Sequence, residues 1–79
     1  MTRSLYSPRN KKLSQMLKEE RKKAGIIQKD LAEILGETHT FVTKYENCER
    51  RLDVDEIERI LKALKVNAKD FFSRLYNWK

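Results

Sequence analysis

The sequence is sparing with the side chains that perform covalent chemistry. It has a single histidine, His39, and a single cysteine, Cys48, in 79 residues. No ligand set surrounds the histidine, so a metal site is not expected. The lone cysteine cannot close a disulfide within the chain or resolve its own oxidised form. No Ser/His or Cys/His pair, no Gly-rich phosphate loop and no cavity-sized core is evident. The sequence therefore predicts no enzyme, no metal and no cofactor. What remains is non-covalent chemistry. His39, Thr40, Thr43 and Lys44 bring hydrogen-bonding and cationic groups together, and Asn47, Arg50 and Arg51 follow within a few residues. The imidazole, the hydroxyls and the ammonium of the first four can meet either base edges or phosphate oxygens. Idle solvent exposure is the plain alternative for His39, and a merely solvated pair is the alternative for Arg50 and Arg51.

The charge balance is compatible with a polyanionic partner. Lys and Arg number 18 against 12 Asp and Glu, a formal +6. The excess lies at the front: residues 1–25 carry eight basic and two acidic groups. Residues 26–50, which hold the suspected contacts, carry three basic and five acidic groups. That deficit matters only if the acids face the ligand. Asp30 and Glu33 are expected to decorate the outer side of their helix. Arg3, Arg9, Lys11 and Lys12 add cations from the front.

Positioning these groups requires helices. With only two Gly and one Pro, β-architectures that consume turn residues are disfavoured. A chain this short makes one small domain. Residues 1–7 read as a basic arm with Leu5 and Tyr6, and residues 8–79 as the domain. Ser7-Pro8 caps a first helix to about Ala24, with Leu13, Met16, Leu17 and Ala24 on its apolar face and Gly25 as its stop. A second helix runs from Gln28 to Leu35 and ends at Gly36. A third starts near Thr38 and fades near Asn47, burying Val42 and Tyr45. Small Ala32 fits a close crossing of these two helices. With Val42 and Tyr45 inside, residues 39, 40, 43 and 44 face outward. Phe41 is open to two readings, core packing or contact with thymine methyl groups. Asp53 with Glu56 makes a relative of the capping box for a fourth helix, striped by Val54, Ile57, Ile60, Leu61 and Leu64. Asn67 caps a fifth, which carries Ala68, Phe71, Phe72, Leu75, Tyr76 and Trp78. The fold class is all-α with five helices.

The stretch from Gln28 to Glu46 resembles the helix-turn-helix of the Cro/C1-type (XRE) family. The pattern is Gln-x-x-Leu-Ala-x-x-Leu-Gly, then a Ser/Thr-rich run, an aliphatic, Ser/Thr and Glu. The likeness extends over roughly residues 9–72. It implies a lambda-repressor-like DNA-binding domain with its helix-turn-helix at helices 2 and 3, the third helix entering the major groove. It also implies a phosphate contact and a bracing role for Gln28, base contacts for His39, Thr40 and Lys44, and phosphate contacts for Asn47, Arg50 and Arg51. Thr43 and Phe41 complete the candidate base-reading set. Arg21 and Glu46 match an internal ion pair. Three positions depart from the pattern: Ile27 stands where a side-chain cap is usual, Glu37 puts a charge towards the DNA side or solvent, and Cys48 replaces a frequent glycine.

Helix 5 holds more aromatic surface than so small a core absorbs. Phe72, Tyr76 and Trp78 form the expected homodimer interface, which would select a palindromic operator. The resulting expectation is a cytoplasmic transcriptional repressor with double-stranded DNA as partner and no membrane association. The alternative is an antitoxin-type module that neutralises a partner toxin and autoregulates its operon.

Overall fold

The computed structural model describes residues 7–78. The expectations placed on residues 1–6, including Arg3, Leu5 and Tyr6, lie outside the described residues. Five helices follow one another: α1 Pro8–Lys23, α2 Gln28–Leu35, α3 His39–Glu46, α4 Val54–Ala63 and α5 Ala68–Tyr76. No strand occurs among the described residues.

The starts of the helices follow from their caps. Ser7 Oγ accepts from the Asn10 amide at 3.1 Å, and Pro8 occupies the first turn, where no backbone donor is missed. Thr38 Oγ1 accepts from the Phe41 amide at 3.2 Å. Asp53 and Glu56 form a reciprocal capping box, and Asn67 Oδ1 accepts from the Asp70 amide at 2.8 Å. The start of α2 is the exception, because Ile27 makes no side-chain cap bond. The ends of α1 to α4 share one device. Gly25, Gly36, Cys48 and Lys65 all take positive φ. In each case the next amide reaches back to a carbonyl of the last turn, as in Glu37 N to Ala32 O at 2.9 Å and Val66 N to Leu61 O at 2.9 Å.

The apolar stripes of all five helices meet in one core. Leu17, Leu31, Val42, Tyr45, Ile60, Leu61 and Phe71 are fully buried there. Ala32, 2% exposed, lies in this core on α2, the helix that packs on both α3 and α4, and a larger side chain there would need space the core does not leave. Three expected core or helix positions are corrected. Ala24 is exposed as the C-cap of α1, because Gly25 turns the chain before another inward position is reached; Ile26 packs on the core instead. Val54 is 63% exposed, since the first residue of α4 lies beyond the reach of the core. Trp78 follows the end of α5 at Tyr76.

Candidate nucleic-acid interface

The N-terminal end of α3 stands clear of the globule. His39 and Thr40 are exposed, Thr43 is half-buried one turn on, and Lys44 is exposed. The opposite face of the helix holds it down. Val42 and Tyr45 are fully buried, and Phe41, 8% exposed, meets Tyr45 edge-on at 5.5 Å between ring centroids. Phe41 therefore belongs to the core, and the thymine-contact reading is corrected: its ring faces Tyr45 on one side and the Arg50 guanidinium, 4.8 Å away, on another.

A polar chain fixes the helix from beneath. Arg21 of α1 forms a fork on Glu46, with Nε donating to Oε2 at 2.7 Å and Nη2 to Oε1 at 3.1 Å. The Arg21 side chain is 9% exposed and that of Glu46 is fully buried. Arg21 Nη1 also donates to the Ile26 carbonyl at 2.7 Å. Gln28, the first residue of α2, extends the chain outward: its Nε2 donates to Glu46 Oε1 at 2.9 Å. Its Oε1 accepts from Thr43 Oγ1 at 3.0 Å and faces His39 Nε2 at 3.2 Å. His39 and Thr43 are thus tied, through one amide, to a buried ion pair. That arrangement fixes this side of the helix within the protein itself.

The exit from α3 is held by a second fork. Arg50 donates to both oxygens of Glu56, at 3.0 and 2.9 Å, and to the Arg51 carbonyl at 2.9 Å. The same Glu56 completes the cap of α4, accepting from the Asp53 amide at 3.0 Å. The hydrogen-bonded guanidinium holds the Glu56 carboxyl below its ordinary range, and Glu56 raises Arg50 in return. Arg50 commits three of its five N–H groups inside the protein. Arg51 and Asn47 are exposed.

Two acids of the segment have cation partners within the protein, Glu46 on Arg21 and Glu37 near Arg59. Glu37 turns towards α4, where Arg59 Nη2 lies 3.6 Å away while donating to the Leu35 carbonyl at 2.7 Å. Of the two expectations for Glu37, DNA side or solvent, its partly exposed place beside Arg59 fits the second. Asp30 and Glu33 are exposed on α2.

Two features escaped the sequence. The Tyr45 hydroxyl is buried with no hydrogen-bond partner among the described residues. Burial, and next to it the Glu46 charge, push this phenol well above its ordinary value. Arg74 of α5 donates to Glu20 of α1 at 3.0 Å and lies 3.4 Å from Asp70. Exposed long side chains leave no periodic signal by which such a pair could have been found.

The aromatic end of α5 is exposed but not bare. Tyr76 is 58% exposed and Trp78 38%. Phe72 is half-buried, edge-on to Phe71 and stacked on Tyr76. Two of the front cations cover the rings: Arg9 lies 4.5 Å from the Tyr76 ring and Lys12 5.9 Å from that of Trp78. Lys11 is exposed. No group of three or more His, Cys, Asp or Glu that could hold a metal occurs among the described residues. No helix among them is long and apolar enough to cross a membrane.

The helix-turn-helix family model matches residues 17–71. No curated protein matches the sequence. Among solved structures, the restriction–modification controller protein C.Esp1396I is similar as a tetramer in complex with its natural 35 base-pair operator. The match has a TM-score of 0.81 and 31% identity, and covers 89% of this chain and 92% of that one. A crystal structure of the wild-type controller gives a TM-score of 0.82 at 31% identity over 89% and 92% of the two chains. Its triclinic form gives 0.80 at 31% identity over 89% and 91%.

Proposed function

From the premise that this chain belongs to the Cro/C1-type helix-turn-helix family, we propose that it is a sequence-specific transcriptional regulator of the cytoplasm. It binds duplex DNA as a homodimer, represses by occupying a palindromic operator, and catalyses no reaction. The observation that carries this reading is the exposed start of α3, with His39, Thr40 and Lys44 outward and the helix anchored through Gln28 to a buried Arg21–Glu46 pair.

In this reading α3 enters the major groove by its N-terminal end. Thr40 and Thr43 offer hydroxyls and methyls, and Lys44 donates to guanine O6/N7. Gln28, Asn47 and Arg51 meet phosphates; Gln28 has a second amide hydrogen beyond the one given to Glu46. Arg50 braces the loop and Phe41. The aromatic patch of Phe72, Tyr76 and Trp78 joins the two protomers and places two copies of α3 about 34 Å apart, one helical turn of DNA.

Selection of bound sites from random duplex DNA tests the reading. The expected result is a twofold-symmetric motif whose half-sites lie about one turn apart. Lys44→Ala weakens the selected site more than random DNA. Arg51→Glu weakens both alike and lowers the salt slope by about one unit. Enrichment of no motif, with equal affinity for all duplexes, overturns it.

A further inference from the structure

The hydrogen bonds around Gln28 fix which nitrogen of His39 carries the proton. Glu46 is a carboxylate engaged on both oxygens by Arg21, so it can only accept. The Gln28 group facing it at 2.9 Å must therefore be the NH2. The opposite orientation would set an amide oxygen against a carboxylate oxygen. The Gln28 carbonyl is thereby turned outward, and it accepts from the Thr43 hydroxyl at 3.0 Å. The His39 nitrogen 3.2 Å from that same carbonyl must donate, so Nε2 bears the hydrogen. A neutral imidazole has one N–H, which leaves Nδ1 a bare acceptor. Nδ1 has no protein partner among the described residues.

We infer that His39 reads DNA as a hydrogen-bond acceptor, its Nδ1 taking the exocyclic amine of adenine or cytosine in the major groove. This rests on the DNA-binding reading above and sharpens it. Amines at adenine N6 and cytosine N4 are the only major-groove donors, and the other polar contacts there are acceptors. Lys44 can only donate and is confined to those acceptors. His39 supplies the complementary polarity from the same exposed face. Gln28 is a positioning residue in this scheme: it sets the polarity of the imidazole, and its own orientation is set by Glu46.

The test uses the selected operator and base analogues at the pair whose preference depends on His39. Purine in place of adenine, or 2-pyrimidinone in place of cytosine, deletes the amine. A 7-deaza purine deletes the N7 acceptor and keeps the amine. For the wild type, amine deletion is expected to weaken binding about three- to tenfold, and N7 deletion to change it by less than about twofold. His39→Ala, at an exposed position, abolishes the response to the amine. Sensitivity to N7 with indifference to the amine overturns the inference while leaving DNA recognition intact. A free protein whose ring-nitrogen NMR spectrum shows the Nδ1–H tautomer overturns it without reference to DNA. Failure to select any motif overturns the DNA-binding reading and this inference with it.

Discussion

Two arginine–glutamate forks bracket α3, side-on through Nε and Nη2 at Arg21 and end-on through Nη1 and Nη2 at Arg50. Arg21 grips both oxygens of Glu46 beneath the helix, and Arg50 grips both oxygens of Glu56 beyond its end. They differ in water. The inner pair is 9% and 0% exposed at the side chains, and the outer pair 40% and 18%. The same kind of pair therefore has different worth. A buried fork leaves a stranded charge when one partner is lost, whereas an outer one surrenders its charge to solvent. The contrast also divides the labour: the inner fork holds His39 and Thr43 through Gln28, and the outer one ties the loop after α3 to the start of α4.

The comparison is sharpest at the inner fork. Glu46→Gln is expected to cost about 3 kcal/mol, mostly by stranding Arg21, and to lower Tm by more than about 10 °C in thermal unfolding. A loss of only a few tenths would break the comparison, because the buried pair would then behave like an exposed one. Next in size is the phenol beside that pair. Tyr45→Phe removes a buried hydroxyl with no hydrogen-bond partner among the described residues and is expected to raise stability by about 1 kcal/mol in urea unfolding. A loss of that size would reveal a partner to the hydroxyl.

The outer fork should respond less. Glu56→Gln is expected to cost under about 1 kcal/mol at neutral pH. Because the folded carboxyl is held below its ordinary range, the contribution of Glu56 is full above the unfolded carboxylate value and fades as pH falls through the folded one. Wild type and Glu56→Gln should thus converge in stability on acidification, followed by urea titration at a series of pH values. Divergence at low pH would refute the assignment. The smallest effect is expected at Lys65, where a non-glycine residue holds positive φ. Lys65→Gly should raise Tm slightly, by up to about 1 kcal/mol in stability, since the left-handed conformation costs a side-chain-bearing residue that amount.

Much of this was legible because caps and periodicity are local. Gln28 to Leu35 and the caps at Thr38, Asp53 and Asn67 are where spacing and residue type place them. The outward set on α3 follows from 3.6 residues per turn once Val42 and Tyr45 are inside. What spacing could not give is the depth of the core at helix ends, which left Val54 and Ala24 outside. Nor could it choose between two uses of one aromatic surface at Phe41, or show that Arg59 stands opposite Glu37. Those outcomes depend on which elements cross, and they appear only when the chain is packed. The cover of Arg9 over Tyr76 is of the same kind, since it joins the two ends of the chain.

The third bond of Arg21, to the Ile26 carbonyl at 2.7 Å, has a dynamic consequence. One guanidinium gathers the last turn of α1, the connection to α2 and the C-terminal end of α3. Fraying of the α1 turn that carries Arg21 breaks its bonds to both of the others. Their amides should therefore exchange with deuterium together, as one cooperative unit, rather than in the graded order that separate short helices would give.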